Sequence, residues 1–276
     1  MFTFEQYISP EFLNVFVDAG VKGYEVNSFM SQYFHNAPTY KKNMSSSGVM
    51  IYRERSLVFS GNMILKESTN NIGELLALYL GIKKGIELKR EINEHYSTSK
   101  PSIKYINIFS DSAYSVNCVT EWFKNWIFTR NNQMQFIGTN GKPVKNQELI
   151  ESIIRLVLQY EEKINLIKVR GHQDPNKEES VELVSKYLET ANDIFKRQVG
   201  VNNFYNPTKE VVRDIIRKNN AVDWLAGSCY PTAKHILDLP TIDDIFPMYL
   251  YTITPNDYNV FLSLTQNQNI ILEKEI

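Results

Sequence analysis

The chain has 276 residues, 43% of them hydrophobic and 22% charged, with a formal net charge of -1 at pH 7. That length suits one or two domains with ample core, and a charge near zero excludes bulk attraction to nucleic acid, so any such binding needs a local patch. Two cysteines, Cys118 and Cys229, exclude a disulfide framework and a four-cysteine zinc site; with no basic leader before an apolar run and no uninterrupted apolar span of about 18 residues, a cytoplasmic protein off the membrane is expected.

In chain order, Leu13 to Asp18 reads as a strand ending at an acid, with Ala19-Gly20 as a turn. Residues 21–47 are weakly specified, a long loop or inserted hairpin, and 48–68 form a two-stranded meander joined near Glu54 to Ser56. A helix opens around Glu74, where Asn71 three residues earlier has the spacing of a capping box. Ile103 to Trp126 organises the rest: a β-rich run ends at Ser110-Asp111, and a helix follows whose stripe is Val116, Val119, Trp122, Phe123 and Trp126. Asp111 taken alone is an N-cap. Residues 130–141 read as a polar loop, 148–160 as an amphipathic helix and 164–169 as a short strand closed by Arg170-Gly171-His172. Residues 173–218 are charged and helix-patterned, a helix opens or continues at Asn219, and the tail from Pro231 carries no readable motif.

Four carboxylates have related contexts: Asp18 and Asp111 at strand ends, Glu74 and Asp223 in first turns of helices. If those strands are neighbours and the helices pack on them, all four converge at one sheet edge. Such crowding raises pKa values unless divalent cations neutralise it, and two Mg²⁺ ions match four carboxylates with the hard oxygen donors they prefer. The chemistry implied is phosphodiester hydrolysis by a paired-metal site.

The blocks VFVDAG, STNNIGELLAL, IFSDSAYSVNCVTEWFKNW, GKPVKNQEL, VRGH and NNAVDWLA, in that order over residues 13–228, resemble the type 1 ribonuclease H family. The resemblance implies an α/β fold, a ribonuclease H-like mixed five-stranded sheet flanked by helices, with a helical insertion and a C-terminal extension. It implies a catalytic domain over 1–230, with insertions at about 21–47 and 175–217, and an extension of unknown role over 231–276. The implied activity is endonucleolytic hydrolysis of the RNA strand of RNA–DNA hybrids, with Mg²⁺ (two ions; Mn²⁺ can substitute) and 5′-phosphate and 3′-hydroxyl products. Asp18, Glu74, Asp111 and Asp223 become the catalytic metal ligands and His172 a proton-shuttling loop residue. Asn70 and Asn71 become readers of the hybrid's minor groove, Thr69 and Asn146 a phosphate pocket, Trp126 an aromatic beside the DNA strand with Trp122 in the core, and Asn219 a neighbour of the catalytic helix. Each also has a plain structural reading as a turn, cap or loop residue. Two alternatives stay open: a nuclease of the same fold acting on DNA or structured nucleic acid, and a non-catalytic nucleic-acid-binding module.

Departures from the family pattern are as informative. Ala19-Gly20-Val21-Lys22-Gly23-Tyr24 replaces a glycine-rich turn, Glu67 stands where many members carry arginine, and IFTRNNQMQFIGTNGK has only Arg130 and Lys142 in place of a basic protrusion. About fifty residues separate His172 from Asp223, with Asp193 a weaker rival ligand; Lys186, Lys196, Arg197, Arg213, Arg217 and Lys218 are read mainly as a solvated face. With the first strand so near the start, a free-standing enzyme is expected.

Overall fold

The first strand carries two interleaved apolar sets, Leu13, Val15 and Val17 on one face and Phe12 and Phe16 on the other, so both faces of its sheet must be covered. In the computed structural model, which describes residues 7–27, 39–95, 101–129, 135–160, 163–199, 207–231 and 233–245, this strand is β1 (Phe12–Asn27). It pairs antiparallel with β2 (Thr39–Arg53), which pairs antiparallel with β3 (Ser56–Lys66) through a turn at Glu54, whose φ is 56°. On its other side β1 pairs parallel with β4 (Tyr105–Ser110), and β4 with β7 (Lys163–Lys168). The strand order β3-β2-β1-β4-β7 is the expected mixed five-stranded sheet.

Parallel neighbours require crossovers, and these supply the helices. α1 (Asn70–His95) leads into β4; α2 (Ala113–Thr120), a small hairpin of β5 (Ile127–Thr129) and β6 (Gln135–Ile137), and α3 (Gln147–Tyr160) lead into β7. α1 and α3 bury Leu75, Leu78, Ile82, Ile150 and Ile154 against the Val15–Val17 face. α4 (Glu178–Val199) and α5 (Lys209–Ser228) bury Val181, Val184, Val212 and Ile215 against the Phe16 face, where Phe16 stacks on Phe109 with centroids 4.6 Å apart. Half of the 175–217 insertion is thus a covering layer of the sheet. Among residues 231–245, Ile242 and Ile245 pack on the first core and the Lys66 amide donates to Pro240 O at 3.0 Å. No helix of the described residues is long and apolar enough to cross a membrane.

Five expectations are corrected. β1 does not end at Asp18 but continues to Asn27, paired residue by residue with Thr39–Ser47; this ribbon is exposed on both faces towards its tip, so no buried–exposed alternation marks it in the sequence. Residues 28–38, with His35, lie outside the described residues. The helix expected through Trp126 stops at Thr120 and tightens into a 3₁₀ turn over Trp122–Asn125, and the loop expected over 130–141 contains β6. α5 begins at Lys209, capped by Thr208 Oγ1 on the Val211 amide, so Asp223 sits well inside a helix instead of in its first turn. Lys218 and Arg213, grouped with a solvated face, are paired: Lys218 is buried on Asp214 at 2.7 Å and Arg213 meets Glu178 at 2.6 Å. The side chains of Asp193, Lys196 and Arg197 lie outside the described residues.

The parallel register is locked by a ladder of side-chain amides. Asn14, Asn107 and Asn165 stand opposite one another on β1, β4 and β7; Asn165 Nδ2 donates to Asn107 Oδ1 and Asn107 Nδ2 to Asn14 Oδ1, both at 2.9 Å, while Asn14 Nδ2 donates to Tyr7 O at 2.6 Å. A one-residue slip would break every rung. Asn107→Leu leaves polar groups on both neighbours without a partner, at about 1–3 kcal/mol for each orphaned group. Urea unfolding should therefore show a clear drop in midpoint at unchanged slope, and an unchanged midpoint would remove the ladder's structural role.

Candidate active site

β1 and β4 stop being neighbours at Val17 and Ser110, and the residues that follow, Asp18 and Asp111, therefore emerge side by side. Asp111 is not the N-cap of α2: Ser112 takes that task, its Oγ accepting from the Ser115 amide at 3.2 Å, which leaves the Asp111 carboxylate to project. The same substitution of roles occurs at α1. Thr69, not Asn71, caps that helix, with Oγ1 accepting from the Ile72 amide at 3.3 Å, so Glu74 is released from a capping box. Gly73 brings α1 close, since a Cβ there would lie 3.0 Å from the Cβ atoms of Ala19 and Ser45.

The outcome is a triad: Asp18, Glu74 and Asp111 each offer a carboxylate oxygen within 4.8 Å of the others. Asp18 is 4% exposed and Glu74 6%. Asp18 Oδ1 accepts from the Ala19 amide at 2.7 Å, Asn70 Nδ2 reaches Glu74 Oε1 at 3.5 Å, and Glu74 Oε2 is buried with no hydrogen-bond partner among the described residues. Burial, then the Asp111 charge, pushes the Asp18 carboxyl up to about 8; burial, then Asp18 and Asp111, pushes Glu74 up to about 9. Asp223 stands outside the triad on α5, near enough to add to both shifts, and its Oδ2 lies 3.3 Å from His172 Nδ1. His172 is 81% exposed, in a left-handed backbone turn with φ 55°.

The surrounding loop is fitted to Asp111. A Cβ on Gly171 would fall 1.9 Å from Asp111 Oδ2, so only glycine lets the backbone pass there. Asn219, 1% exposed, donates through Nδ2 to Asp111 Oδ2 at 3.3 Å, and its Oδ1 has no partner among the described residues. Asn220 Nδ2 holds Gln173 O at 2.7 Å and so pins the His172 loop to α5. Ser112, Gly171 and Asn220 were not singled out from the sequence; only Ser112 carried a usable signal, as a cap-former before a helix.

The remaining predicted site residues divide. Thr69, Asn70 and Asn71 are exposed at the N-terminus of α1. Asn146 adopts φ 58° and donates to the Tyr114 hydroxyl at 2.9 Å. The tryptophans reverse the expectation: Trp126 is 6% exposed and packs by Phe136, whereas Trp122 is 42% exposed with its ring edge-on to Tyr114. Both border a cleft of about 450 Å³ that also takes in Asn71, Lys142 and Lys145. Glu67 has φ 53° and is neutralised by Lys42 at 2.6 Å.

Residues 31–186 match the family model described as RNase H. The chain belongs to the RNase H family. The matched span holds Glu74, Asp111 and His172 and leaves out Asp18 and Asp223, which join the site by the strand and helix geometry above. Among curated relatives, a ribonuclease H of Campylobacter curvus is 30% identical over 111 residues, 40% of this chain and 61% of that protein. A ribonuclease HI of Haemophilus influenzae is 32% identical over 101 residues, 37% of this chain and 60% of that protein. The chain thus spans about three fifths of the length of these relatives. A solved RNase H, LC11-RNase H1 in complex with an RNA/DNA hybrid, aligns over 65% of this chain and 99% of its own at 13% identity and a TM-score of 0.35.

The donor set fits a hard divalent cation: three carboxylates converge, one buried oxygen lacks a partner among the described residues, and burial with mutual repulsion raises two of the carboxyls, a cost a cation would relieve. Both carboxyls bind their proton more tightly folded than unfolded, so their contribution to metal-free stability is present at low pH and is lost as pH rises from about 4 through 8 to 9. Metal-free protein should therefore lose melting temperature between pH 6 and pH 9, and Mg²⁺ should raise it more at pH 9 than at pH 6. Glu74→Gln should raise the metal-free value at pH 9 and shrink the Mg²⁺ response. Calorimetry over that grid decides, and a Mg²⁺ response equal at both pH values and in the variant would refute the carboxylate site.

Proposed function

We propose that this protein hydrolyses the RNA strand of RNA–DNA hybrids endonucleolytically. The observation that carries the reading is the triad Asp18–Glu74–Asp111 at the sheet edge, two of its members buried, with a Glu74 oxygen that has no partner among the described residues. Asp18, Glu74 and Asp111, with Asp223 at the rim, would hold two Mg²⁺ ions, or Mn²⁺. Bound there, such ions supply charge neutralisation and a water of lowered pKa.

The chain's own residues do the rest. Asn219 orients Asp111 through its Oδ2. His172, exposed and beside Asp223, takes up and returns a proton as water attacks the phosphate in line and the 3′-oxygen leaves. The products carry 5′-phosphate and 3′-hydroxyl ends. Asn70 and Asn71, at the open end of α1, are placed to meet 2′-hydroxyls in a wide minor groove. Trp122 takes the part assigned to Trp126 as the aromatic face for the DNA strand, because it is the exposed one of the pair. Thr69 and Asn146 contribute the phosphate pocket beside that cleft, with Lys142 and Lys145 as its cations.

The test is cleavage of a uniformly labelled hybrid with Mg²⁺ or Mn²⁺, alongside duplex DNA, duplex RNA and single strands. Only the hybrid's RNA should be lost. Asp111→Asn should abolish cleavage with the fold intact by circular dichroism, and His172→Ala should slow turnover by about 10² to 10⁴-fold, the scale of an acid–base contribution. Near-normal turnover by Asp111→Asn would overturn the site, and preferential cleavage of duplex DNA would move the substrate to the DNA-directed alternative.

A further inference from the structure

The sheet ends in a step. β4 and β7 stop at Ser110 and Lys168, where the site begins, whereas β3 accompanies β2 as far as Met44, the partner of Lys22, and β1 and β2 alone run on from there to Asn27 and from Thr39. Nine residues at a strand rise of about 3.3 Å carry the ribbon roughly 30 Å past the triad. Its β1 edge, released from β4 after Val17, flanks the open space in front of Asp111 and His172.

Strand alternation and the register then fix what each face presents. Lys22, Tyr24 and Val26 lie on the face that Asp18 shares, opposite Met44, Lys42 and Tyr40; Val21, Gly23 and Glu25 lie on the other, opposite Ser45, Asn43 and Lys41. Tyr40 is 55% exposed and Val21 39%, and Lys22 and Lys41 are exposed. Three lysines and two tyrosines stand on the ribbon against one glutamate, in a chain whose net charge is -1. Lys42 is partly neutralised by Glu67, and Lys22 lies over the Tyr230 ring with Nζ 5.6 Å from its centroid, which holds that lysine at the foot of the ribbon. Lys22, Lys42 and both tyrosines on one face with Lys41 on the other suit a duplex backbone better than an apolar protein surface.

We propose that the ribbon, residues 21–27 with 39–43, is a second nucleic-acid contact that flanks the metal site and grips the duplex outside the scissile phosphate, Lys22 and Lys41 on phosphates and Tyr24 and Tyr40 against sugars and bases. It rests on the hybrid-nuclease reading. It also supplies the local positive surface that the segment 127–142 lacks.

The test uses the full chain. Binding of an RNA–DNA hybrid is measured by fluorescence anisotropy in the Asp111→Asn background at several salt concentrations, and cleavage in the otherwise wild-type protein. Lys22→Ala with Lys41→Ala should weaken binding about 10-fold or more at low salt and flatten the slope of log K against log[salt] by about 0.9 per lysine in contact. Lys41→Arg should keep the slope, Tyr40→Ala should weaken binding at unchanged slope, and the cleavage defect should fall on KM more than on kcat. If the parent cleaves the hybrid and the lysine variants bind with the same affinity and slope, the ribbon proposal is wrong and the nuclease reading stands. If the parent cleaves nothing yet binds with a lysine-dependent slope, the ribbon stands and the nuclease reading falls; loss of both binding and cleavage in the parent removes both. A dimer in solution that dissociates on Tyr40→Ala would make the ribbon a protein interface and also overturn the proposal.

Discussion

The repulsion among three carboxylates, Asp18 and Glu74 buried and Asp111 half-buried, is the constraint on which the rest of this structure depends. Asp18 and Asp111 are forced together because Val17 and Ser110 are register partners and each acid is the next residue along its chain. Glu74 is added by α1, whose approach has no slack: a Cβ on Gly81 would sit 2.5 Å from Val17 Cγ1, so a bulkier residue would lift the helix and its carboxylate away. Packing energy spread over both faces of the sheet opposes a local electrostatic cost. Since that cost disappears when protons or cations occupy the site, stability is linked to pH and to divalent metal.

The other half of the site depends on α5, which brings Asn219 and Asp223 to β1 and β4 from the opposite face. Its rotation is fixed one residue earlier. Lys218, its side chain 7% exposed, meets Asp214 at 2.7 Å and the Tyr7 hydroxyl at 3.1 Å, and lies over the rings of Tyr52 and Tyr7 at 4.3 and 5.0 Å. Burial lowers the Lys218 pKa while Asp214 opposes the shift. A buried ion pair adds little net stability, but it is particular about geometry, and geometry is what Asn219 requires to reach Asp111 Oδ2.

What could be read from the sequence follows from which signals were buried. Strands with one fully apolar face, such as Leu13–Val17 and Ile106–Ile108, were legible; of the four acids singled out, the structure brings Asp18, Glu74 and Asp111 together and leaves Asp223 outside that triad. Caps were not, because Thr69, Asn70 and Asn71, like Asp111 and Ser112, are adjacent residues with the same capping chemistry, and only the backbone decides which one is used. The helical stripe counted both tryptophans as core and the resemblance alone set Trp126 beside the DNA; the helix instead breaks after Thr120 into a 3₁₀ turn, with Trp126 buried and Trp122 exposed. The inserted hairpin, one of two readings of residues 21–47, is present as the pairing of 19–27 with 39–47; that it continues β1 past Asp18 was not legible, because a ribbon wetted on both sides has no period to detect. The start of α5 was not legible because residues 173–218 are helix-patterned throughout, and the motif around Asp223 marks only the second half of that helix.

On the proposed reading, charge acts with opposite signs a short distance apart. The acidic triad repels a phosphate until cations occupy it, while Lys22 and Lys41 on the ribbon and Lys142 and Lys145 at the cleft attract the same backbone. Divalent metal and monovalent salt must then act in opposite directions: metal improves substrate binding by removing repulsion at the step, and salt weakens it by competing with the lysines. A net charge of -1, the balance of 30 basic and 31 acidic residues over the whole chain, conceals both local fields. The strand register separates them, placing the acids where the sheet stops and the lysines where two of its strands continue.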